Sequence, residues 1–234
     1  MSGPTRAPGR DFGMTAPLPF KAIVFDFDGV ILESVAIKTE AMAALFAEHP
    51  EHEAAIIALN EAQGGLSRFI KFDMIHRDIL KTPLSPSRRD ELGRRFSELV
   101  VEKVLAAPFV PGAREFLAAH HRETPLYVVS GTPDAELAMI LARRRLSGYF
   151  RGAYGSDRQK DELLRRVLAD LACPARDIVF VGDAPTDYQA EEKTGVPFIG
   201  RVPQSRRSPF PKSTTIVTDL TLLERSLRSF QPTN

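Results

Sequence analysis

The chain of 234 residues contains a single cysteine, Cys173, and therefore cannot form an internal disulfide. No second thiol is present that could share a metal ion with it. We therefore predict a reducing, cytoplasmic location. The sequence also has no apolar run that approaches the roughly 18 residues required by a membrane-spanning helix, so a membrane partner is not expected.

A large excess of charge of either sign is also missing. The 31 basic and 30 acidic residues leave a formal charge of +1, which gives no overall attraction for nucleic acid or an anionic membrane. The basic stretch at 201–212 lacks interleaved stacking aromatics, so it is predicted to be a surface loop rather than a nucleic-acid site. The first 18 residues hold three prolines and three glycines but no apolar signal region, and are predicted to be a disordered leader.

Short apolar runs alternate with amphipathic helical stretches through most of the remaining chain. These runs lie at 22–25, 125–132, 177–184, 195–200 and 214–219. Such alternation predicts an α/β fold with a Rossmann-like, mostly parallel sheet sandwiched by helices. We assign this core domain to residues 19–33 and 108–230.

Residues 34–107 interrupt the alternation and contain no comparable strand. Met42, Leu45 and Phe46 have helical spacing, and Ser85 followed by Pro86 is typical of a helix start. We therefore predict an all-helical cap domain over 34–107, inserted after the first strand. Because its ends lie beside the predicted site, this domain could close over a ligand and expel water.

Three of the predicted strands end in polar residues. Asp26 and Asp28 follow the first run and should share one face, where two carboxylates repel each other unless a cation or a shared proton relieves them. Ser130 and Asp183 follow two other runs. Since ligands of parallel sheets bind beyond the carboxyl ends of the strands, these side chains are expected to meet there.

Neighbouring residues extend this candidate site. Gly131 and Thr132 continue a turn into a helix, whose first backbone N–H groups favour an anion. Asp187 lies shortly after Asp183, and Lys160 precedes another predicted helix. Mg²⁺ prefers oxygen ligands from one or two carboxylates plus substrate, so the sequence predicts a phosphate beside a magnesium ion.

Four ordered motifs resemble those of the haloacid dehalogenase superfamily, in its phosphoglycolate phosphatase-like branch with a helical cap. They are VFDFDGV at 24–30, VVSGT at 128–132, Lys160 and VGDAPTD at 181–187. The resemblance implies a phosphatase for a small phosphorylated metabolite, acting through an aspartyl-phosphate intermediate.

The same resemblance implies a role for each site residue. Asp26 would be the nucleophile and Asp28 the general acid and base. Ser130 and Lys160 would bind the phosphoryl oxygens, with Gly131 and Thr132 beside them. The implied metal set is Asp26, Asp28 through its backbone carbonyl, and Asp183. Asp187 is either a further ligand or the residue that orients Lys160 or a metal-bound water.

The stretch GGLSRFIKF at 64–72 is the candidate for substrate specificity. Ser67 is predicted to cap the following helix, and Arg68 to offer a fork for a carboxylate or phosphate of the substrate. The alternative is an ordinary helix start with Arg68 and Lys71 exposed.

Two other functions stay open. Sugar-phosphate mutases of the same superfamily have a similar loop, although Pro133 and Lys38 depart from their pattern. A non-enzymatic phospho-ligand binding protein is the third possibility, but no catalytic group is missing. Asp28 favours an oxygen leaving group over a halide. The sequence does not specify the substrate, and either a monomer or a homodimer is compatible with it.

Overall fold

The computed structural model describes residues 17–230, and within them six strands form one parallel sheet. Their order across the sheet is β3-β2-β1-β4-β5-β6. The strands are β1 (Ala22–Phe25), β2 (Leu126–Val129), β3 (Gly152–Tyr154), β4 (Ile178–Gly182), β5 (Phe198–Arg201) and β6 (Thr215–Val217). The predicted α/β class and parallel sheet are confirmed.

Helices follow the strands and cover both faces of this sheet. Ile23 and Phe25 of β1 pack into the apolar cluster on one face, whereas Ala22 and Val24 pack into the cluster on the other. A strand buried on both faces needs a continuous apolar run, which is what β1 has. The helices outside the 34–107 region are α5 (Ala113–His120), α6 (Asp134–Arg143), α7 (Lys160–Leu171), α8 (Pro185–Thr194) and α9 (Leu223–Ser229).

The edge strand β3 was not predicted. It has three residues, all only partly buried, and pairs with β2 alone. Without a buried apolar run, its sequence could not be distinguished from a loop. At the other end of the chain, the predicted disordered leader lies outside the described residues except for Pro17 and Leu18. Leu18 is buried in the apolar core, so the leader prediction is wrong at that residue.

Residues 34–107, called the cap segment below, are helical between β1 and β2. Their α-helices are α1 (Val35–Leu45), α2 (Glu53–Ala62), α3 (Arg68–Met74) and α4 (Pro86–Ala106). A π-helical turn, Ile75–Leu80, continues α3. The helix α4 begins as predicted, with the hydroxyl of Ser85 accepting a hydrogen bond from the N–H of Arg88 at 3.3 Å.

The chain enters and leaves the cap segment at one place. Leu32 and Phe109 form an antiparallel bridge, and the N–H of Glu33 donates to the carbonyl of Pro108 at 3.0 Å. Arg201 anchors the entering chain segment through two hydrogen bonds to the Glu33 carboxylate. None of the helices within residues 17–230 has the length and apolar composition needed to cross a bilayer.

Candidate active site

The carboxyl ends of β2, β1 and β4 bring Ser130, Asp26 and Asp183 to one edge of the sheet. These three strands are adjacent, with β1 paired to both neighbours. The backbone N–H of Asp26 donates to the carbonyl of Val181 on β4 at 2.8 Å, so the ladder itself fixes this residue. The structure therefore places the three residues at neighbouring strand ends on one edge of the sheet.

Lys160 lies between two buried carboxylates. Its Nζ atom donates to Oδ2 of Asp26 at 2.7 Å and also to Oδ1 of Asp187. Burial acts against the charged amine, but the carboxylates of Asp187 and Asp26 outweigh it and raise the pKa of Lys160. The other oxygen of Asp187 accepts the backbone N–H groups of Asp183 at 3.1 Å and Ala184 at 3.0 Å. Both oxygens of Asp187 are thus already in use.

Asp26, Asp183 and Asp187 offer carboxylate oxygens that lie within 4.8 Å of one another. Burial, followed by repulsion from neighbouring carboxylates, raises the pKa of both Asp26 and Asp183 above the ordinary range. A bound divalent cation would relieve this repulsion, and the all-oxygen donor set suits Mg²⁺. Asp187 accepts three hydrogen bonds, from Lys160 and two N–H groups, and Asp26 accepts two, from Lys160 and the N–H of Phe27, so Asp187 has the least free capacity for a metal ion.

The carboxylate of Asp28 points to a different set of groups. Ser34 donates to its Oδ1 at 2.6 Å, and Thr132 donates to its Oδ2 at 3.0 Å. Lys38 also donates to Oδ2. Although burial opposes the charged form, Lys38 and the two hydroxyls lower the pKa of Asp28. The side chain of Asp28 is thus separate from the cluster of Asp26, Asp183 and Asp187. Only its backbone carbonyl is left for the predicted role as a metal ligand.

Lys38 was not predicted as a site residue. It stands one helical turn after Ser34, on α1, and its Nζ also donates to the hydroxyl of Thr132 at 2.7 Å. The spacing of Ser34 and Lys38 places both on one face of a helix that starts beside the site. This spacing is the feature of the sequence from which Lys38 could have been found. The direction in which that helix face points is known only from the structure.

The loop before α3 rests directly on the strand ends. The hydroxyl of Thr186 donates to the carbonyl of Gly64 at 2.5 Å. A Cβ atom placed on Gly131 would lie 2.5 Å from the carbonyl oxygen of Gly65, and one placed on Gly65 would lie 2.9 Å from Nζ of Lys160. Gly65 also has a φ of 80°. These glycines are therefore required for the close approach between the cap segment and the site.

The structure corrects two predictions for the cap segment. Ser67 occupies the N-cap position of α3, but its side chain makes no capping hydrogen bond. Arg68 donates to both carboxylate oxygens of Glu136 on α6 and to the hydroxyl of Ser97. The guanidinium fork is thus bound to Glu136 rather than open to a substrate. The alternative of an exposed helix start is also wrong, because Arg68 and Lys71 are both buried.

A cavity of about 560 Å³ lies between the cap segment and the strand ends. Asp26, Asp28 and Asp183 line one side of it, and residues of α1, α2 and α3 line another. The exposed loop of Arg206 and Arg207 borders it as well. A volume of this size accommodates a small organic ligand.

Comparison with known proteins places the motifs of this site in a family context. The sequence model of the haloacid dehalogenase-like hydrolases matches residues 20–193. Phosphoglycolate phosphatase of Rhodospirillum rubrum is 27% identical over 191 residues, which cover 76% of this chain and 78% of that protein.

Solved structures share the fold. A predicted phosphoglycolate phosphatase from Haemophilus somnus superposes with a TM-score of 0.69 at 19% identity, over 91% of this chain and 99% of the other. The HAD-hydrolase YfnB of Bacillus subtilis, determined with magnesium bound, gives a TM-score of 0.65 at 16% identity, over 89% and 98% of the two chains. At these identities the similarity concerns the fold.

Proposed function

Because the chain belongs to the haloacid dehalogenase-like hydrolase family, we propose that it is a Mg²⁺-dependent phosphatase of a small phosphate monoester. The resemblance to the phosphoglycolate phosphatase-like branch supports this activity. The observation that carries the proposal is the division of the carboxylates into two groups. Asp26 and Asp183 lie together and repel each other unless a cation is bound between them. The Asp28 carboxylate instead accepts hydrogen bonds from Ser34, Lys38 and Thr132.

Asp26 is the nucleophile in this proposal. One of its oxygens attacks phosphorus, the bond between phosphorus and the ester oxygen breaks, and an aspartyl-phosphate forms. Lys160 donates to Asp26, so its ammonium would lie beside the phosphoryl oxygens and stabilise their charge. Asp187 positions Lys160 and does not react. When bound by Asp26, Asp183 and the backbone carbonyl of Asp28, Mg²⁺ would neutralise phosphoryl charge.

Asp28 is the general acid and base. In its protonated form it gives a proton to the leaving alkoxide, and the resulting carboxylate then accepts a proton from the water that attacks phosphorus, breaks the bond between phosphorus and the Asp26 oxygen and releases phosphate. The donors Ser34, Lys38 and Thr132 hold its carboxylate and favour the charged form, which suits the second step. Ser130, buried beside Gly131 at the end of β2, would bind a phosphoryl oxygen.

The test is phosphate release from a panel of esters with Mg²⁺ and with EDTA. The panel includes p-nitrophenyl phosphate, 2-phosphoglycolate, 2-hydroxyethyl phosphate and hexose 1-phosphates with a trace of the 1,6-bisphosphate. Free phosphate should equal the substrate consumed and should depend on Mg²⁺. Isomerised hexose phosphate with little free phosphate would instead indicate a mutase, and binding without turnover would indicate a phospho-ligand binding protein.

A further inference from the structure

The cavity above Asp26 contains a buried cation that the proposed reaction does not use. Lys71, on α3, is 8% exposed and lines this cavity. Its Nζ atom donates to the side-chain oxygen of Asn60 at 2.8 Å and to the backbone carbonyl of Asn60 at 3.2 Å. The amide of Asn60 in turn donates to Thr39 at 3.1 Å. This chain of hydrogen bonds fixes the amine at the cavity wall.

Lys71 has no counter-ion within the described part of the chain. None of the carboxylates of residues 17–230 pairs with its Nζ within 4 Å, and both of its hydrogen-bond partners are neutral oxygens. A buried ammonium without a carboxylate is costly, because burial favours its neutral form. An anion delivered by a ligand would remove that cost.

The other cations that border the cavity differ from Lys71. Lys38 is paired with Asp28, Arg68 with Glu136 and Arg201 with Glu33. Arg206 and Arg207 are exposed on a loop, where a charge is already well solvated. Lys71 is thus the buried, uncompensated cation of this cavity among residues 17–230.

We propose that Lys71 binds a second anionic group of the substrate, so that the preferred substrates are phosphate monoesters with a carboxylate or a further phosphate on the alcohol part. The inference rests on the proposed phosphatase function, because Asp26 must hold the first phosphate. The cavity supports it, since one continuous space reaches both Asp26 and Lys71. It also moves the predicted specificity contact from Arg68 to a residue one helical turn away.

The charged surroundings of Lys71 add a pH dependence. Burial lowers the pKa of Lys71 to about 7, and the nearby cations Lys38, Lys160 and Arg68 act in the same direction, while Asp28 opposes them. The ammonium is therefore lost from the free enzyme as the pH rises through about 7. Attraction for a second anion should weaken over the same range.

The experiment compares two esters of the same length, 2-phosphoglycolate and 2-hydroxyethyl phosphate, by the ratio of their kcat/KM values. We expect the wild-type chain to prefer the carboxylate, and Lys71→Met to lower the ratio roughly ten- to a hundredfold, the size of a charge-assisted hydrogen bond. Lys103→Met removes an exposed lysine of the same segment and should leave the ratio unchanged. The ratio of kcat/KM for glucose 1,6-bisphosphate to that for glucose 6-phosphate tests a phosphate as the second anion.

The pH profile separates binding from a merely structural role. In the wild type, the ratio for the matched pair should fall above pH 7, and in Lys71→Met it should stay flat, since titrations shared by both esters cancel. Three results would overturn the inference. The first is an equal loss of kcat/KM for both esters in Lys71→Met, and the second is a wild type without preference for the second anion. The third is a fall in the ratio only in Arg206→Ala or Arg207→Ala. No phosphate release from any ester would overturn the phosphatase function itself.

Discussion

Arg68 of the cap segment and Glu136 of the core helix α6 form a buried ion pair through two hydrogen bonds. The Nη1 and Oε2 atoms lie 2.9 Å apart, and the two side chains are 4% and 8% exposed. The guanidinium also lies over the ring of Phe96, 4.5 Å from its centroid. This pair joins the cap segment to the core.

We expect Arg68→Ala to reduce kcat/KM by the same factor for p-nitrophenyl phosphate and for 2-phosphoglycolate. Removing one partner of a buried pair costs about 3–5 kcal/mol, and here the loss weakens the contact between the cap segment and the core. Glu136→Ala should act similarly, and the double variant should lose less than the sum of the two. Arg94→Ala breaks an exposed pair with Glu98 and is the control. A selective loss of 2-phosphoglycolate would return Arg68 to substrate binding.

Asp26→Asn should abolish phosphate release, because an amide is a far weaker nucleophile and metal ligand than a carboxylate. It should also shrink the increase in Tm that Mg²⁺ gives the wild type, since binding to the folded state alone stabilises it. Thermal unfolding with and without Mg²⁺ measures this independently of turnover. Asp90→Asn changes an exposed carboxylate on α4 and should leave both readings unaltered. Turnover that survives in Asp26→Asn would contradict the proposed mechanism.

Gly131→Ala should impair closure of the cap segment on the strand ends. The added Cβ would meet the carbonyl oxygen of Gly65 at 2.5 Å, so the loop must move away. Displacements of this size can cost up to roughly a hundredfold in rate. At Gly148, a Cβ would meet nothing within 4 Å, and Gly148→Ala is the matched control. Steady-state kinetics of both variants decide the matter, and wild-type activity in Gly131→Ala would mean that the contact is dispensable.

The cost of burying Lys71 should be visible in stability as well as in kinetics. Its pKa is about 7 in the folded chain and roughly 10.4 in an unfolded one. Between these values the unfolded chain binds more protons, so this lysine makes wild-type stability rise with pH. The difference in free energy of unfolding between wild type and Lys71→Met should therefore shift toward the wild type from pH 7 to 10, by a few kcal/mol. Urea titrations across this range measure it, and Lys103→Met should show no such trend.

The sequence predicted the parallel sheet and the placement of Asp26, Ser130 and Asp183 at one of its edges because both follow from local patterns. A buried central strand requires a continuous apolar run, and the carboxyl ends of parallel strands necessarily share an edge. The edge strand β3 escaped prediction because it buries little. Its three residues carry no apolar signal that differs from a loop.

The partners of the cap side chains could not be predicted, since they depend on how the helices pack. In the sequence, Arg68 looked like a guanidinium free to bind a substrate anion. Its actual partner, Glu136, lies 68 residues away in the sequence and is brought to it by the folding of the chain. Lys71 looked like a solvated residue of a helix start, but it is buried and hydrogen-bonded to Asn60 of another helix. The roles of both residues therefore depend on tertiary contacts that no spacing rule contains.

The two chain connections of the cap segment, which pair with each other at Leu32 and Phe109, limit how this segment could move. A body attached by one flexible linker can swivel about three axes, whereas two hydrogen-bonded linkers side by side leave essentially one axis of rotation. Arg144 fixes the departing linker through the carbonyls of Leu105 and Ala107, at 2.6 and 2.8 Å, as Arg201 fixes the entering one. Any opening of the segment would therefore follow essentially one axis of rotation, and its return would bring Gly65 back onto Gly131 and Lys71 back to the cavity wall together.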